Sequence, residues 1–141
     1  MLLFPGDKRE GRMTINGARG FTRAIADRMD LTLECIRRHY IGVQSPLAET
    51  LARYRDFFAL FGSFQGYVDF FLLQDLMTAN QTSVAYFTPF DEFKVGSSVP
   101  RDVGTYTEFM TRSIAFVEAR NRRISAWAQT HAGIGATTTE T

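Results

Sequence analysis

The apolar positions of this chain recur at helical spacing in several segments, which predicts a mainly helical fold. The first long helix is expected from about Asp27 or Asp30 to Tyr40, with an apolar seam on one side and charged residues on the other. A second helix is expected over residues 45–61, because Ser and Pro occupy its first two positions and Gly62 follows its last apolar residue.

Two further helices are predicted in the second half of the chain. From about Ser63 to Leu76 the sequence is apolar on every side, so this helix is expected to be central and buried. The last helix begins with a capping box, Thr105 to Glu108, and extends to about Gln129. Its predicted core-facing seam consists of Tyr106, Met110, Val117, Ile124 and Trp127.

Short β-prone runs separated by turn residues predict a small amount of sheet. Residues 1–15 have the pattern of a hairpin, Asn16–Gly20 that of a loop, and Ser83–Phe87 that of one further strand. The predicted fold class is therefore α+β and mainly α, with about four helices around a buried central helix, an N-terminal β-ribbon and one strand. We expect one globular domain over residues 1–130 and a flexible tail over residues 131–141, which are rich in small and polar residues.

The composition is that of a soluble globular domain. Of the 141 residues, 45% are hydrophobic and 13% aromatic, which is enough apolar surface for one buried core. A formal net charge of +1 argues against a dedicated nucleic-acid-binding protein. Apolar runs such as Phe70–Leu73 are far shorter than the roughly 20 residues of a membrane span. The single cysteine, Cys35, cannot form an internal disulfide, which indicates a reducing, cytoplasmic compartment.

Charge is concentrated between Thr14 and Tyr40, which include five arginines. A glycine-bearing loop before a helix N-terminus can bind an anion through free backbone N–H groups, and arginine adds bidentate recognition of phosphate. The predicted partner is an anionic small molecule. The candidate ligand-binding residues are Arg19, Arg23, Arg28, Asp30, Glu34 and Arg37. The alternative is a network of ion pairs that fixes the helix to the ribbon, with Glu34 and Arg38 at a favourable spacing of four residues.

Metal and nucleophilic chemistry have weaker support. Asp27, Asp30 and Glu34 share one helix side, where carboxylates can bind a metal, but this spacing is common on solvated helices. Cys35 and His39 are four residues apart, as a thiolate–imidazole pair requires, but apolar neighbours favour a buried, inert thiol. The sequence therefore assigns no metal, no cofactor and no catalytic residue.

Two charges interrupt apolar helix faces. Asp69 lies on the helix predicted to be central, and Arg120 lies on the seam predicted for the last helix. A buried charge needs a partner of opposite sign, so we predict a structural ion pair between Asp69 and Arg120. The alternative is that Arg120 points into a cleft toward a ligand.

Long segments of the chain resemble a family of uncharacterised bacterial proteins. The resemblance rests on FPGDKREGRMTINGARGF, DRMDLTLECIRRHY, SPLAETLARYRDFFALF, GYVDFFLLQDL and FVEARNRRI, and it covers about Phe4 to Ile124. Members of that family carry an additional segment before the first of these motifs, so the resemblance implies that this chain corresponds to their C-terminal part. It implies no activity and no catalytic residues.

Two functional hypotheses follow. The first is a bacterial cytoplasmic domain that acts as a structural or interaction module, with an anion-binding surface around Asn16–Gly20. The second is an enzyme or nucleotide-binding unit that acts on a phosphorylated ligand or nucleic acid, with assistance from a metal. Arginines that are paired with carboxylates would favour the first, and arginines that converge on an open cleft would favour the second.

Overall fold

The computed structural model of the chain describes residues 4–94 and 99–139, with side chains as far as His131. Six α-helices and one short 3₁₀ helix occur in this part of the chain. They are α1 (Ile15–Phe21), α2 (Met29–Ile41), α3 (Ala48–Ala52), α4 (Arg55–Ala59), α5 (Phe64–Phe70), the 3₁₀ helix (Gln74–Leu76) and α6 (Val103–Thr139).

The prediction of an N-terminal β-ribbon is wrong, because residues 4–15 form no strand. Residues 1–3 lie outside the part of the chain that the structure describes. A single bridge between Arg9 and Arg12 is all that forms of the hairpin. Its expected second strand instead begins a helix. The Thr14 hydroxyl accepts a hydrogen bond from the Gly17 N–H at 3.2 Å, and α1 starts at Ile15. Thr14 is therefore an N-cap, a role for which threonine is well suited.

The strand predicted at Ser83–Phe87 is also absent from the described part of the chain. One isolated bridge joins Met77 and Val84. The Phe87 N–H donates to an Asp30 carboxylate oxygen at 2.9 Å, so a helix side chain satisfies a group that a neighbouring strand would otherwise pair. The fold described is helical, and the α+β prediction is wrong.

The predicted loop Asn16–Gly20 lies within α1. The residues that take left-handed backbone conformations are instead Ala26 and Asp27, with φ of 49° and 60°, in the connection between α1 and α2. Neither glycine of the segment has a positive φ. The turn that positions α2 is therefore formed by non-glycine residues, which the sequence pattern did not indicate.

The central, buried helix is α2 and not the one predicted over residues 63–76. Seven consecutive residues of α2, Asp30–Ile36, are buried, so this part of the helix is enclosed on every side. Helices α3 and α5 pack against it. It ends where Gly42 adopts φ of 72°, a left-handed C-cap that favours glycine. By contrast, Asp69 and Phe70 of α5 are exposed.

The helices predicted over residues 45–61 and 63–76 are interrupted. The first divides into α3 and α4 at Arg53 and Tyr54, and the second ends at Phe70. Leu72 follows with φ of 57°, which a helix cannot accommodate. The apolar seam predicted for the first is nevertheless buried. Its buried members are Leu47, Leu51, Tyr54 and Phe58.

Gly66, in α5, lies where the packing leaves no room for a side chain. A methyl group there would lie 2.0 Å from the Phe61 carbonyl oxygen, whereas one at Gly20 of α1 would have no heavy atom within 4 Å. We expect Gly66→Ala to lower the free energy of unfolding by about 2–3 kcal/mol through overpacking. We expect Gly20→Ala to raise it by about 0.5 kcal/mol, because alanine favours a helix. Urea unfolding of both variants tests the packing, and equal effects would contradict it.

Helix α6 starts earlier than predicted. The Asp102 carboxylate accepts a hydrogen bond from the Thr105 N–H at 2.7 Å, so Asp102 caps a helix that begins at Val103. The backbone is helical to Thr139, while the flexible tail over residues 131–141 falls largely outside the described side chains and stays a prediction. No helix in the described ranges has both the length and the apolar composition for crossing a membrane.

Candidate functional site

The first group of predicted site residues forms a buried ion pair at the start of α2. Arg28 donates from Nε and Nη2 to the two Asp30 carboxylate oxygens, at 3.1 and 2.5 Å. Its Nη1 donates to the Thr88 hydroxyl at 3.1 Å, and its guanidinium lies 5.1 Å from the centre of the Phe109 ring. The Asp30 side chain is fully buried, and that of Arg28 is 5% exposed.

The second group surrounds Glu34, one turn further along α2. Its carboxylate accepts two hydrogen bonds from Arg37, at 2.8 and 2.7 Å, and one from Arg38 at 2.7 Å. The Tyr86 hydroxyl donates a fourth at 2.9 Å. The predicted pair between Glu34 and Arg38 is confirmed. A charge that is almost completely buried is thus compensated by two cations and a hydroxyl.

Both groups hold the same segment, Tyr86–Thr88, against α2. Asp30 binds the Phe87 N–H, Arg28 binds Thr88, and Glu34 binds Tyr86. We call these contacts the α2 polar network. It joins residues more than fifty positions apart, which explains why α2 is enclosed on its polar side as well as on its apolar side.

The other two predicted ligand residues lie at the edge of this network. Arg19 donates from Nε to the buried Thr32 hydroxyl at 2.8 Å and lies 3.3 Å from an Asp27 carboxylate oxygen. Arg23 is exposed. The structure therefore brings Arg28, Asp30, Glu34 and Arg37 together along α2, and places Arg19 and Arg23 outside that cluster. Their role in ligand binding stays a prediction.

Burial and neighbours set the protonation of this region. Burial would raise the pKa of Glu34, but hydrogen bonds from Arg37, Arg38 and Tyr86 outweigh it and hold the pKa below its usual value. Burial raises the pKa of the Cys35 thiol to about 12, so this cysteine is protonated at neutral pH. Burial also lowers the pKa of His39. A protonated thiol is a poor nucleophile, which weighs against thiolate chemistry at this helix.

A metal would have to compete with arginines for the carboxylates of α2. Among the residues that the structure describes, no group of three His, Cys, Asp or Glu side chains is arranged to hold a metal ion. The oxygens of Asp30 and Glu34 already accept hydrogen bonds from Arg28, Arg37 and Arg38.

The two residues of the predicted structural ion pair have other hydrogen-bond partners. Asp69 is exposed and accepts from the side-chain amides of Gln65 and Gln74, at 2.9 and 3.1 Å. Arg120 donates to the carbonyl oxygens of Phe71 and Leu72, at 3.0 and 3.3 Å. Arg120 thus reaches the backbone where α5 ends. The pairing of Asp69 with Arg120 stays a prediction, although its premise of a buried Asp69 is wrong.

The exposed side of α6 carries apolar residues, among them Tyr106, Met110 and Val117, which the sequence pattern assigned to the core. Helix α6 packs on the body through Phe116, which is buried, and through Phe109 and Arg120, which are partly buried. The residues left in solvent, 37–82% exposed, are Val103, Tyr106, Met110, Ile114 and Val117, and we call them the α6 apolar face. The predicted seam therefore points largely away from the core. In the sequence, Phe109 and Phe116 are seven residues apart and therefore share a helix face. This spacing indicates the side of α6 that packs on the body.

Comparison with known proteins identifies a family without an assigned activity. Residues 1–124 match a family described as a family of unknown function, DUF6994. No curated protein and no solved structure matches the chain. An uncharacterised family was expected from the resemblance and is confirmed, while bacterial origin and a C-terminal position within longer members stay predictions. The chain therefore belongs to the DUF6994 family.

Proposed function

We propose that this chain is a structural and interaction module that joins a second copy of itself through α6. The α6 apolar face carries the proposal. Five apolar side chains lie on one stripe, and Val103 and Tyr106 are more than half exposed. The stripe is about 110° around the helix axis from the side that packs on the body, at 3.6 residues per turn. Exposed apolar stripes of this kind mark sites of protein association.

The second half of α6 supports a second copy as the occupant. Residues 125–130 are all exposed, so this part of the helix projects beyond the body. A helix without tertiary contacts is only marginally stable in water. An antiparallel pair would place the projecting half of each α6 on the apolar face of the other. With the helix midpoints near Ala119, Met110 and Ile114 of one copy face Ala128 and Ile124 of the other.

Charge along the stripe agrees with this arrangement. Glu118 and Arg122 are exposed on the same flank of the α6 apolar face. Neither forms an ion pair within the ranges that the structure describes. In the antiparallel pair, Glu118 of each copy lies within one helical turn of Arg122 of the other. Opposite charges that flank an apolar seam favour one orientation of the helices.

The α2 polar network supports the structural half of the proposal. Arg28 and Arg37 are engaged by Asp30 and Glu34, so these charges lock α2 to the segment over residues 86–88. The enzyme alternative has less support, because the carboxylates that would supply acid–base or metal chemistry already accept hydrogen bonds. A reducing, cytoplasmic location in a bacterial cell is part of the proposal, and it is supported by a single, buried Cys35 that cannot form an internal disulfide.

An anion-binding surface around α1 is a second candidate function. Arg23 is exposed there, and the segment Asn16–Gly20 belongs to the helix that carries Arg19. Arg19 itself is held by Thr32 and Asp27, which weakens this candidate.

Substitution on the α6 apolar face tests the association. We expect the purified chain to elute with twice its 16.0 kDa mass, measured by light scattering over a range of concentrations. Val117→Asp and Ile114→Asp should convert it to a monomer, because each would place a charge in the apolar seam. Ala126→Asp is the control: it adds the same charge on the same helix, at an exposed position about 160° around the axis from the stripe, and should leave the mass unchanged.

Circular dichroism and thermal unfolding of each variant show whether it is folded. A parent chain that is monomeric at every concentration, or folded aspartate variants that remain dimeric, would contradict the proposal.

A further inference from the structure

Two clefts beside α3 meet at Arg53. One is lined by Arg12, Phe21, Thr22, Glu49 and Thr50 together with Arg53, and has a volume of about 450 Å³. The other is lined by Arg9, Arg55 and Asp56 and again by Arg53, with a volume of about 460 Å³. None of the arginines that border them belongs to the α2 polar network. This region is separate from the α6 apolar face, and it borders α1, the helix that contains the segment Asn16–Gly20.

Arg53 has donors that the described residues leave unused. Its Nη1 has no hydrogen-bond partner among the described residues and is accessible to solvent, whereas its Nε is enclosed by the protein and cannot be reached from the cleft. Its Nη2 reaches the Thr50 hydroxyl at 3.5 Å, the outer limit of a hydrogen bond. The two Nη groups of Arg53 can therefore donate to an acceptor in the cleft.

The neighbouring carboxylates do not supply that acceptor. Asp56 and Asp7 both bind Arg9, which also donates to the Arg53 carbonyl oxygen at 3.1 Å. Glu49 lies four residues before Arg53, the spacing of a helical ion pair, yet α3 ends at Ala52 and the two form no ion pair within the described residues. The Nη groups of Arg53 therefore remain available to an anion from outside the chain.

The rest of the first cleft indicates what the anion carries. Arg12 supplies a second guanidinium, and Thr22 and Thr50 supply hydroxyl groups, a set of donors suited to the oxygens of a phosphate. Phe21 borders the cleft with 75% of its surface exposed, and an exposed ring is a surface on which a planar group can stack. We infer that the cleft around Arg53 binds a phosphate monoester with an aromatic group, its phosphate on Arg53 and Arg12 and its ring on Phe21.

Titration calorimetry with phenyl phosphate, inorganic phosphate and benzoate tests this site. We expect phenyl phosphate to bind most tightly, since inorganic phosphate lacks the ring and benzoate carries a single charge. Arg53→Gln should weaken binding of phenyl phosphate by at least about tenfold, the effect of losing charge-assisted hydrogen bonds. Glu49→Gln should tighten it, because a repelling carboxylate is removed. Arg122→Gln on α6 is the control and should bind as the parent does.

Each outcome decides the inference. A Phe21→Ala variant that binds inorganic phosphate normally but phenyl phosphate more weakly would support the assigned roles. No heat from any probe with the parent chain, or unchanged affinity in a folded Arg53→Gln variant, would overturn the site. Equal affinity for benzoate and phenyl phosphate would overturn the assignment to phosphate. Thermal unfolding of Arg53→Gln should match the parent, since Arg53 has few internal partners to lose.

Discussion

Replacing Asp30 by asparagine is expected to lower the free energy of unfolding by about 3–5 kcal/mol. The change preserves the size of the side chain and removes its charge. Arg28, whose side chain is 5% exposed, would then keep a positive charge in the interior without a carboxylate beside it. The Phe87 N–H would also lose the charged acceptor that it now has at 2.9 Å. Urea unfolding at neutral pH, followed by circular dichroism, measures the effect.

Asp27→Asn is the matched control for this experiment. Asp27 lies close to Arg19 in the same part of the chain, but its side chain is 68% exposed. An exposed ion pair contributes little, so the control should change the free energy of unfolding by less than about 1 kcal/mol. If the two variants were equally stable, Asp30 would not be the anchor of α2 that the structure indicates.

Glu34→Gln is expected to cost about 2–4 kcal/mol at neutral pH. The expected loss of unfolding free energy is smaller than for Asp30→Asn, because Arg37 and Arg38 are partly exposed and can reach water once the side chain at position 34 is neutral. Tyr86 would keep a neutral acceptor and lose the stronger charged one. Glu118→Gln, on the exposed flank of α6, serves as the control and should leave the stability of the monomer almost unchanged.

The contribution of Glu34 should disappear in acid. Its pKa in the folded chain is below the usual value of 4.5, because the hydrogen bonds from two arginines and Tyr86 outweigh burial. A lowered pKa stabilises the fold above the pKa of the unfolded chain, and this stabilisation is lost as the pH falls through the folded value. The stability difference between the parent and Glu34→Gln should therefore be full near pH 7 and shrink below about pH 4.5. A difference that stayed constant in acid would rule out the ionised carboxylate as its source.

Local patterns predicted the helices better than they predicted the ends of helices. The seam of α2 and the buried positions Leu51 and Phe58 follow from helical periodicity. The same periodicity continues across Arg53 and across Leu72, where the structure interrupts the helices. The interruption at Leu72 lies where Arg120, 48 residues further along the chain, donates a hydrogen bond to the Leu72 carbonyl oxygen. A pattern read over one or two turns contains no information about such a partner.

The candidate site shows the same division. The sequence located the charged residues of α2 and their i,i+4 spacing, and Glu34 does bind Arg38. The sequence could not indicate that Tyr86 and Phe87 donate hydrogen bonds to Glu34 and Asp30, because these partners lie more than fifty positions apart. Nor could it identify Arg53, which has the appearance of an ordinary exposed charge on an amphipathic helix. That it lines a cleft together with Arg12 becomes visible only when the surrounding side chains are placed.

The sequence by itself determined that this chain is mainly helical, that it belongs to an uncharacterised family, and which residues of α2 and α3 carry the apolar seams. The tertiary structure decided which helix is central, which side of α6 meets the core, and that the expected sheet does not form in the residues described. The physical reason is the range of the interactions. Helical periodicity depends on neighbours within a few positions, whereas burial of a charge or pairing of an extended backbone depends on partners far along the chain.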